Sequence, residues 1–400
     1  MFAILARGFA HAVLHLLFLL LLFFFQFWRL ILIVAIFYMT PAVQFVVFLA
    51  GDNDLEHGWF NYKCAYRLGV FRAFNNVISN IGYVLLGLVF WLIAYRGRPE
   101  QADDCGLHKE PHVYYALAIG LVLEGICSSL YHVWPSRTTF QFDSAFMLVG
   151  IGLSIVTLYQ KRHPRVTIGA QRAFSYFGLA ILANTIHLLI ISPSNEHVDA
   201  WLDVFWAAVG AMQLYLTLYA VPSLYWGRDN WSFSPGTTVA FFKRWRDNVF
   251  TMPANPLRFI VLLLLCSFNW TFFIVAWSIQ AEFFTFCLGL LFVNFLVYLG
   301  AYMFKKGRHN ERIVGRVKIL MLIVCILSPI ALYCFVTSPT NKLLTVEASR
   351  ELNKPCAFLG MDNHDWWHLT SAVVLFCTLS TLYYLDDDLV DRPRREIDIF

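Results

Sequence analysis

VYYALAIGLVLEGICSSLYHV, residues 113–133, decides the fold. It is one bilayer's length of apolar helix, with a single carboxylate, Glu124, in its middle and His132 and Pro135 closing it. Working outward, similar runs recur near 8–28, 30–50, 74–95, 141–160, 172–192, 200–222, 257–278, 283–304, 315–337 and 364–385. Hydrophobic residues make up 59% of the 400 positions and charged ones 14%, against about 25% charge in a soluble domain. The sequence therefore predicts an all-α, polytopic transmembrane helix bundle of about 10–11 spans. Residues 1–36 read as an apolar N-terminal anchor or first span, because little but Gln26, Trp28 and Arg29 separates the first two runs.

Lys and Arg set the orientation. The connections 96–112, 161–172, 223–258, 305–318 and 386–400 hold 21 of them, and the alternate set 51–73, 134–140 and 338–363 holds 7. By the positive-inside rule the C-terminus is cytoplasmic and the second set faces the lumen or the exterior. The clusters Lys305-Lys306-Gly-Arg308 and Lys243-Arg244-Trp-Arg246 then read as orientation signals beside anionic headgroups. They are not a nucleic-acid surface, and nothing in the residues alone points to RNA.

This topology gathers polar groups at one membrane face. His132 ends the 113–133 run there, Asp143 begins 141–160, and His364 and His368 begin the last run as His364-Asp-Trp-Trp-His368. The i, i+4 spacing puts His364 and His368 on one helix face, and Ser128 stands one turn deeper than His132. Three imidazoles suit a catalytic zinc with water as its fourth partner, a water whose pKa then falls towards about 7. Asp143 is either general base or fourth ligand, and Ser128 a donor to a developing oxyanion. The chemistry this implies is hydrolysis of an ester or amide presented at the bilayer surface.

Taken singly, these residues have plainer readings. A His-x-x-x-His at a helix end is often interfacial polarity, Asp143 suits an N-cap, and Ser128 suits helix packing. The set at one face favours a metal site. Glu124, two turns below His132, either lines a cavity or bonds a neighbouring helix. Asn184 and His187 read as interhelical hydrogen-bond partners; Asn75, Asn76, Ser79 and Asn80 as capping and packing residues first and as supports of the metal ligands second; Asp362 and Asp365 as solvated loop groups, with support of the flanking histidines as the alternative. Of nine cysteines, only Cys64 and Cys356 fall in the outer loops, so these two are expected to form a disulfide. The sequons at Asn230 and Asn269 fall in a cytoplasmic loop and within a span, where neither is expected to carry a glycan.

Phe74-Asn-Asn-Val-Ile-Ser-Asn80, Gly82-Tyr-Val-Leu-Leu-Gly87, Phe140-Gln-Phe-Asp143, Asp362-Asn-His-Asp-Trp-Trp-His368, Leu385-Asp-Asp-Asp-Leu389 and Ile397-Asp-Ile-Phe400 together resemble the SID (systemic RNA interference defective) transmembrane family. That family includes the cholesterol uptake proteins, and the resemblance runs from about residue 37 to the C-terminus as one transmembrane domain. More distantly, Ser128-x-x-x-His132, Asp143 and His364-x-x-x-His368 resemble the alkaline ceramidases of the CREST superfamily. The resemblance implies double-stranded RNA transport and sterol binding, with zinc held by His132, His364 and His368. It also implies an alternative, a zinc-dependent lipid amide hydrolase in which Asp143 works on the water and Ser128 supports the site. Implied partners are membrane lipids, cholesterol or ceramide, double-stranded RNA and a second copy in a homodimer. Implied locations are the plasma membrane or lysosome and endosome. Where such proteins carry a large β-rich ectodomain, residues 1–36 are almost wholly apolar, so RNA capture by an ectodomain is not expected of this chain.

Overall fold

The computed structural model describes residues 26–51, 58–97, 105–107, 110–136, 139–162, 169–191, 197–225, 243, 256–341 and 344–398. Most of the expected run 8–28 and of the 1–36 segment, Asn230 and most of the 243–246 cluster lie outside these. The described chain is helical, with no strand beyond isolated bridges. Its helices are α1 (Phe27–Gly51), α2 (Phe74–Ile78), α3 (Ile81–Arg96), α4 (Pro111–Val133), α5 (Phe140–Arg162) and α6 (Ala170–Ile190), followed by α7 (Val198–Tyr225), α8 (Pro256–Ser278), α9 (Phe283–Arg308), α10 (Gly315–Val336), α11 (Val346–Glu351) and α12 (Asn363–Tyr384). Ten stretches among the described residues are long and apolar enough to cross a bilayer, so the protein is a multi-pass, all-α membrane protein.

The expected 74–95 run is a short helix and a long one. The hydroxyl of Ser79 and the side-chain amide of Asn80 both donate to the carbonyl of Asn76, at 2.9 Å each. Side-chain donors thereby occupy a carbonyl that the helix would otherwise use, and α2 stops before α3 begins.

The described residues resolve into two compact units, the first falling within 1–161, 168–181 and 303–400 and the second within 162–167 and 182–302. In the first, α3 packs on α4, α1 on α4, α12 on α3 and α10 on α12. Two glycines let backbones meet: a Cβ at Gly87 would stand 3.0 Å from the Val122 nitrogen, and one at Gly125 would stand 2.9 Å from the Asn80 carbonyl. Helices α4, α5 and α12 are 72%, 67% and 56% buried, against 11% for α10. The innermost helices are thus the ones that carry Ser128, His132, Asp143, His364 and His368.

In the second unit, His187 is buried among Phe205 (ring centroids 5.3 Å apart), Trp206 and Phe283. Neither ring nitrogen has a hydrogen-bond partner among the described residues. The expectation of an interhelical hydrogen bond through His187 is therefore replaced by packing in an aromatic cluster. Asn269, also within this unit, exchanges side-chain amide hydrogen bonds with Asn294 on α9.

Back in the first unit, a buried charge network ties the far end of α12 to α5 and α9. Lys306 Nζ lies 2.8 Å from Asp388, 3.2 Å from Asp386 and 3.2 Å from Glu311, and Lys161 lies 3.0 Å from Asp386. Lys306 is fully buried, which corrects its reading as a headgroup-facing charge. Burial makes the network costly to break, since removing one partner strands the others in a medium that solvates them poorly. Lys306→Met is expected to lower stability by about 3–5 kcal/mol, read as a large fall in Tm of the detergent-solubilised protein, with a much smaller fall for Lys305→Met. An unchanged Tm in Lys306→Met would contradict the network's role.

Candidate metal centre

The last turn of α4 and the first turns of α12 bring three imidazoles together. His132 Nε2 lies 3.0 Å from His368 Nε2 and 3.3 Å from His364 Nε2. One nitrogen from each ring lies within 4.8 Å of the other two. Four ligands about 2.0–2.1 Å from a tetrahedral ion stand roughly 3.3–3.4 Å apart, so this spacing fits a single metal ion. The donors fit as well: His132 meets both other rings through the one nitrogen Nε2, which in a neutral imidazole carries a single N–H or a single lone pair and cannot satisfy both. His132 and His368 are buried, and His364 is half-buried.

Ser128 and Asp143 are both buried, Ser128 one turn below His132 on α4 and Asp143 in the first turn of α5. Ser129, Ser144 and Ser154 donate their hydroxyls to carbonyls four residues back, at 2.8–2.9 Å. Ser128 Oγ has no such partner among the described residues. Its hydroxyl is therefore not spent on its own helix. Glu124 is buried and faces the charge of Asp143 and the backbone of Met147 on α5. Glu124 and Ser128 thus lie below His132 on α4, and Asp143 on α5 is within electrostatic reach of Glu124.

Above the histidines lies a small hollow of about 30 Å³, lined by His132, His364, Asn61, Asp362, Trp59 and Thr340 among others. It has room for a water molecule and not for a lipid chain. Its roof is tied down from several directions. Trp59 N donates to the Pro135 carbonyl at 3.2 Å, Tyr62 N donates to Asn353 Oδ1 at 2.9 Å, and Cys64 and Cys356 form a disulfide with Cα atoms 4.9 Å apart.

Asp362 and Asp365 correct their reading as solvated loop groups, for both are buried. They form a capping box at the start of α12, each side chain accepting from the other's backbone N–H at 3.0 Å. Asn61 donates to Asp362 at 2.9 Å, and Asn75 and Asn76 donate to Asp365 at 2.7 and 2.9 Å. The N-cap pattern Asp362-x-x-Asp365 was open to sequence reasoning. The asparagines that complete it come from 290 positions away, and no local pattern announces them.

The disulfide closes a separation of 292 residues, and removing it is expected to cost about 2–4 kcal/mol. Cys64→Ser/Cys356→Ser should show a clearly lowered Tm, and non-reducing peptide mapping of the wild type should recover the two cysteines on one linked peptide. Free thiols at both positions would contradict the assignment.

The family profile described as "dsRNA-gated channel SID-1" matches residues 22–400. The chain is 32% identical to "SID1 transmembrane family member 1" of rat, over 94% of this chain and 47% of the rat protein. The human protein of that name is also 32% identical, over 94% of this chain and 46% of its own length. "Cholesterol uptake protein 1" of Caenorhabditis elegans is 30% identical over 92% of this chain and 50% of the worm protein. The chain thus spans about half the length of the curated relatives it matches. On the profile match and these identities, over a bundle whose inner helices carry the three-histidine cluster, the chain belongs to the SID-1 family of membrane proteins.

Proposed function

We propose that this chain serves double-stranded RNA uptake across a membrane and binds sterol, and that its bundle is organised around a zinc ion held by His132, His364 and His368. The profile match over residues 22–400 carries the transport reading, and the worm relative's name supports the sterol. The orientation given by the Lys and Arg distribution puts the histidines on the lumenal or exterior side of a plasma or endolysosomal membrane, with the C-terminus in the cytoplasm. In this reading zinc clasps α4 to α12, and membrane lipids surround the bundle.

A second reading, a lipid amide hydrolase of the CREST type acting on a ceramide-like substrate, is favoured by one observation: Ser128 Oγ, one turn below His132, is buried without a partner among the described residues. When bound, zinc would supply Lewis-acid activation of water and of a carbonyl. The residues divide the remaining work. The Asp143 carboxylate takes up the proton of the attacking water and hands it to the leaving amine. Ser128 Oγ–H donates to the carbonyl oxygen as negative charge gathers on it. The hollow lined by His132 and His364 has room for the attacking water and none for a lipid chain.

Two assays on one set of proteins separate these readings. Cells expressing wild type should take up labelled double-stranded RNA above vector controls, and purified protein is assayed with a fluorogenic ceramide. Asp143→Asn is expected to lower ceramide turnover by at least about 100-fold, at the low end of what a positioned acid–base group contributes, while leaving RNA uptake in place. Uptake no higher than vector would count against transport, and turnover equal in wild type and Asp143→Asn against hydrolysis.

A further inference from the structure

Asp365 stands between the two histidines of α12, and none of the roles above uses it. It is fully buried. Its carboxylate receives Asn75 Nδ2 (2.7 Å) and the Asp362 backbone N–H (3.0 Å) on Oδ2 and Asn76 Nδ2 (2.9 Å) on Oδ1, with the Ser79 hydroxyl as a further donor nearby. A helix cap would need only one of these. The two asparagine amides come from α2, and α2 in turn meets α4, where the Ser129 hydroxyl shares its one hydrogen between the Gly125 carbonyl of its own helix (2.8 Å) and the Val77 carbonyl of α2 (3.1 Å). Helix α2 packs against both α4 and α12. It therefore bridges the helix that carries His132 and the helix that carries His364 and His368.

The geometry has a mechanical consequence. Asp365 follows His364 directly and precedes His368 by three positions, so any rotation of α12 that releases the carboxylate from Asn75 and Asn76 swings both imidazoles with it. Rotation in the other sense is opposed by Tyr83 on α3, whose hydroxyl lies 2.6 Å from Ser371 Oγ and whose ring meets His368 edge-on at 6.1 Å. We propose that Asp365 is a positioning residue of the metal centre: through Asn75 and Asn76 it locks α12 to α2, and so sets the spacing between His132 and the pair His364 and His368. This rests on the metal reading of the three histidines and adds to it the short helix α2 as part of the centre.

The donor arithmetic supplies the test. The groups that meet Asp365 all act as donors to it, so the site requires an acceptor-only side chain. Asp365→Asn sets an amide against the amide of Asn76, donor to donor. Asn76→Asp sets one buried carboxylate against another. The swap Asn76→Asp/Asp365→Asn restores a donor facing an acceptor and keeps the total charge. In the swap the new amide's oxygen still accepts from Asn75 and the Asp362 N–H, while its nitrogen donates to the new carboxylate on α2. The bond between the two helices is thus retained with its direction reversed.

The measurement is the affinity of the detergent-purified full chain for Zn²⁺ and Co²⁺, by competition with a chromophoric chelator, with Tm recorded alongside. Each single variant is expected to bind about 10-fold or more weakly, the scale on which groups supporting metal ligands act, and the swap to recover most of that loss. Asp388→Asn, in the charge network at the other end of α12, is the control: it should lower Tm without moving affinity, as a purely structural lesion would. Wild-type affinity in Asp365→Asn would overturn the positioning role while leaving the metal site standing. A wild type that binds no metal would overturn the metal reading itself and this role with it. If the single variants do not fold, Asn76→Ala decides: affinity unchanged from wild type overturns the proposal, and weaker binding at a retained fold supports it.

Discussion

Three imidazoles gathered inside an apolar bundle, with His132 Nε2 3.0 Å from His368 Nε2 and 3.3 Å from His364 Nε2, form the constraint on which the rest of the first unit depends. Polar groups there have little water to turn to, so most must find a partner within the protein or bind one. A cation accepts lone pairs from all three rings at once, which no rearrangement of their own N–H groups can do. The cost of gathering the histidines is spread over their surroundings. The capping box at the start of α12, the asparagines of α2, the edge of Tyr83 and the loops pinned by Cys64–Cys356 all act to hold two helix ends in one register.

The two ends of α12 solve the same problem with different chemistry. At the start, neutral amides meet a carboxylate and the charge is spread over hydrogen bonds; at the far end, Lys161 and Lys306 meet Asp386, Asp388 and Glu311 directly. Both arrangements are buried, and both join segments distant in sequence. A helix fixed at each end is a stiff support, and stiffness is what a ligand set needs if its spacing is to survive motion in the bundle around it.

Much of this was legible in the sequence because membranes impose simple rules. Run lengths gave the spans, and the placing of His132, Asp143, His364 and His368 at run ends put them at one level, where the structure brings the histidines together. What escaped was long-range polar pairing. Asp365 reads as a loop group until Asn75 and Asn76 are seen against it, and Lys306 reads as one basic residue among several until three carboxylates are found around it. His187 erred in the other direction: a lone polar side chain in a span suggests a hydrogen bond, and the aromatic rings of Phe205, Trp206 and Phe283 surround it instead. Hydropathy marks where a helix runs but says little about which buried side chain it meets.

The central claim is that His132, His364 and His368 hold one metal ion. Elemental analysis of the purified chain tests it most directly, comparing wild type with His364→Ala/His368→Ala prepared side by side. The account predicts about one zinc per wild-type chain and none above background in the variant. No metal in the wild type, or equal metal in both proteins, would contradict it.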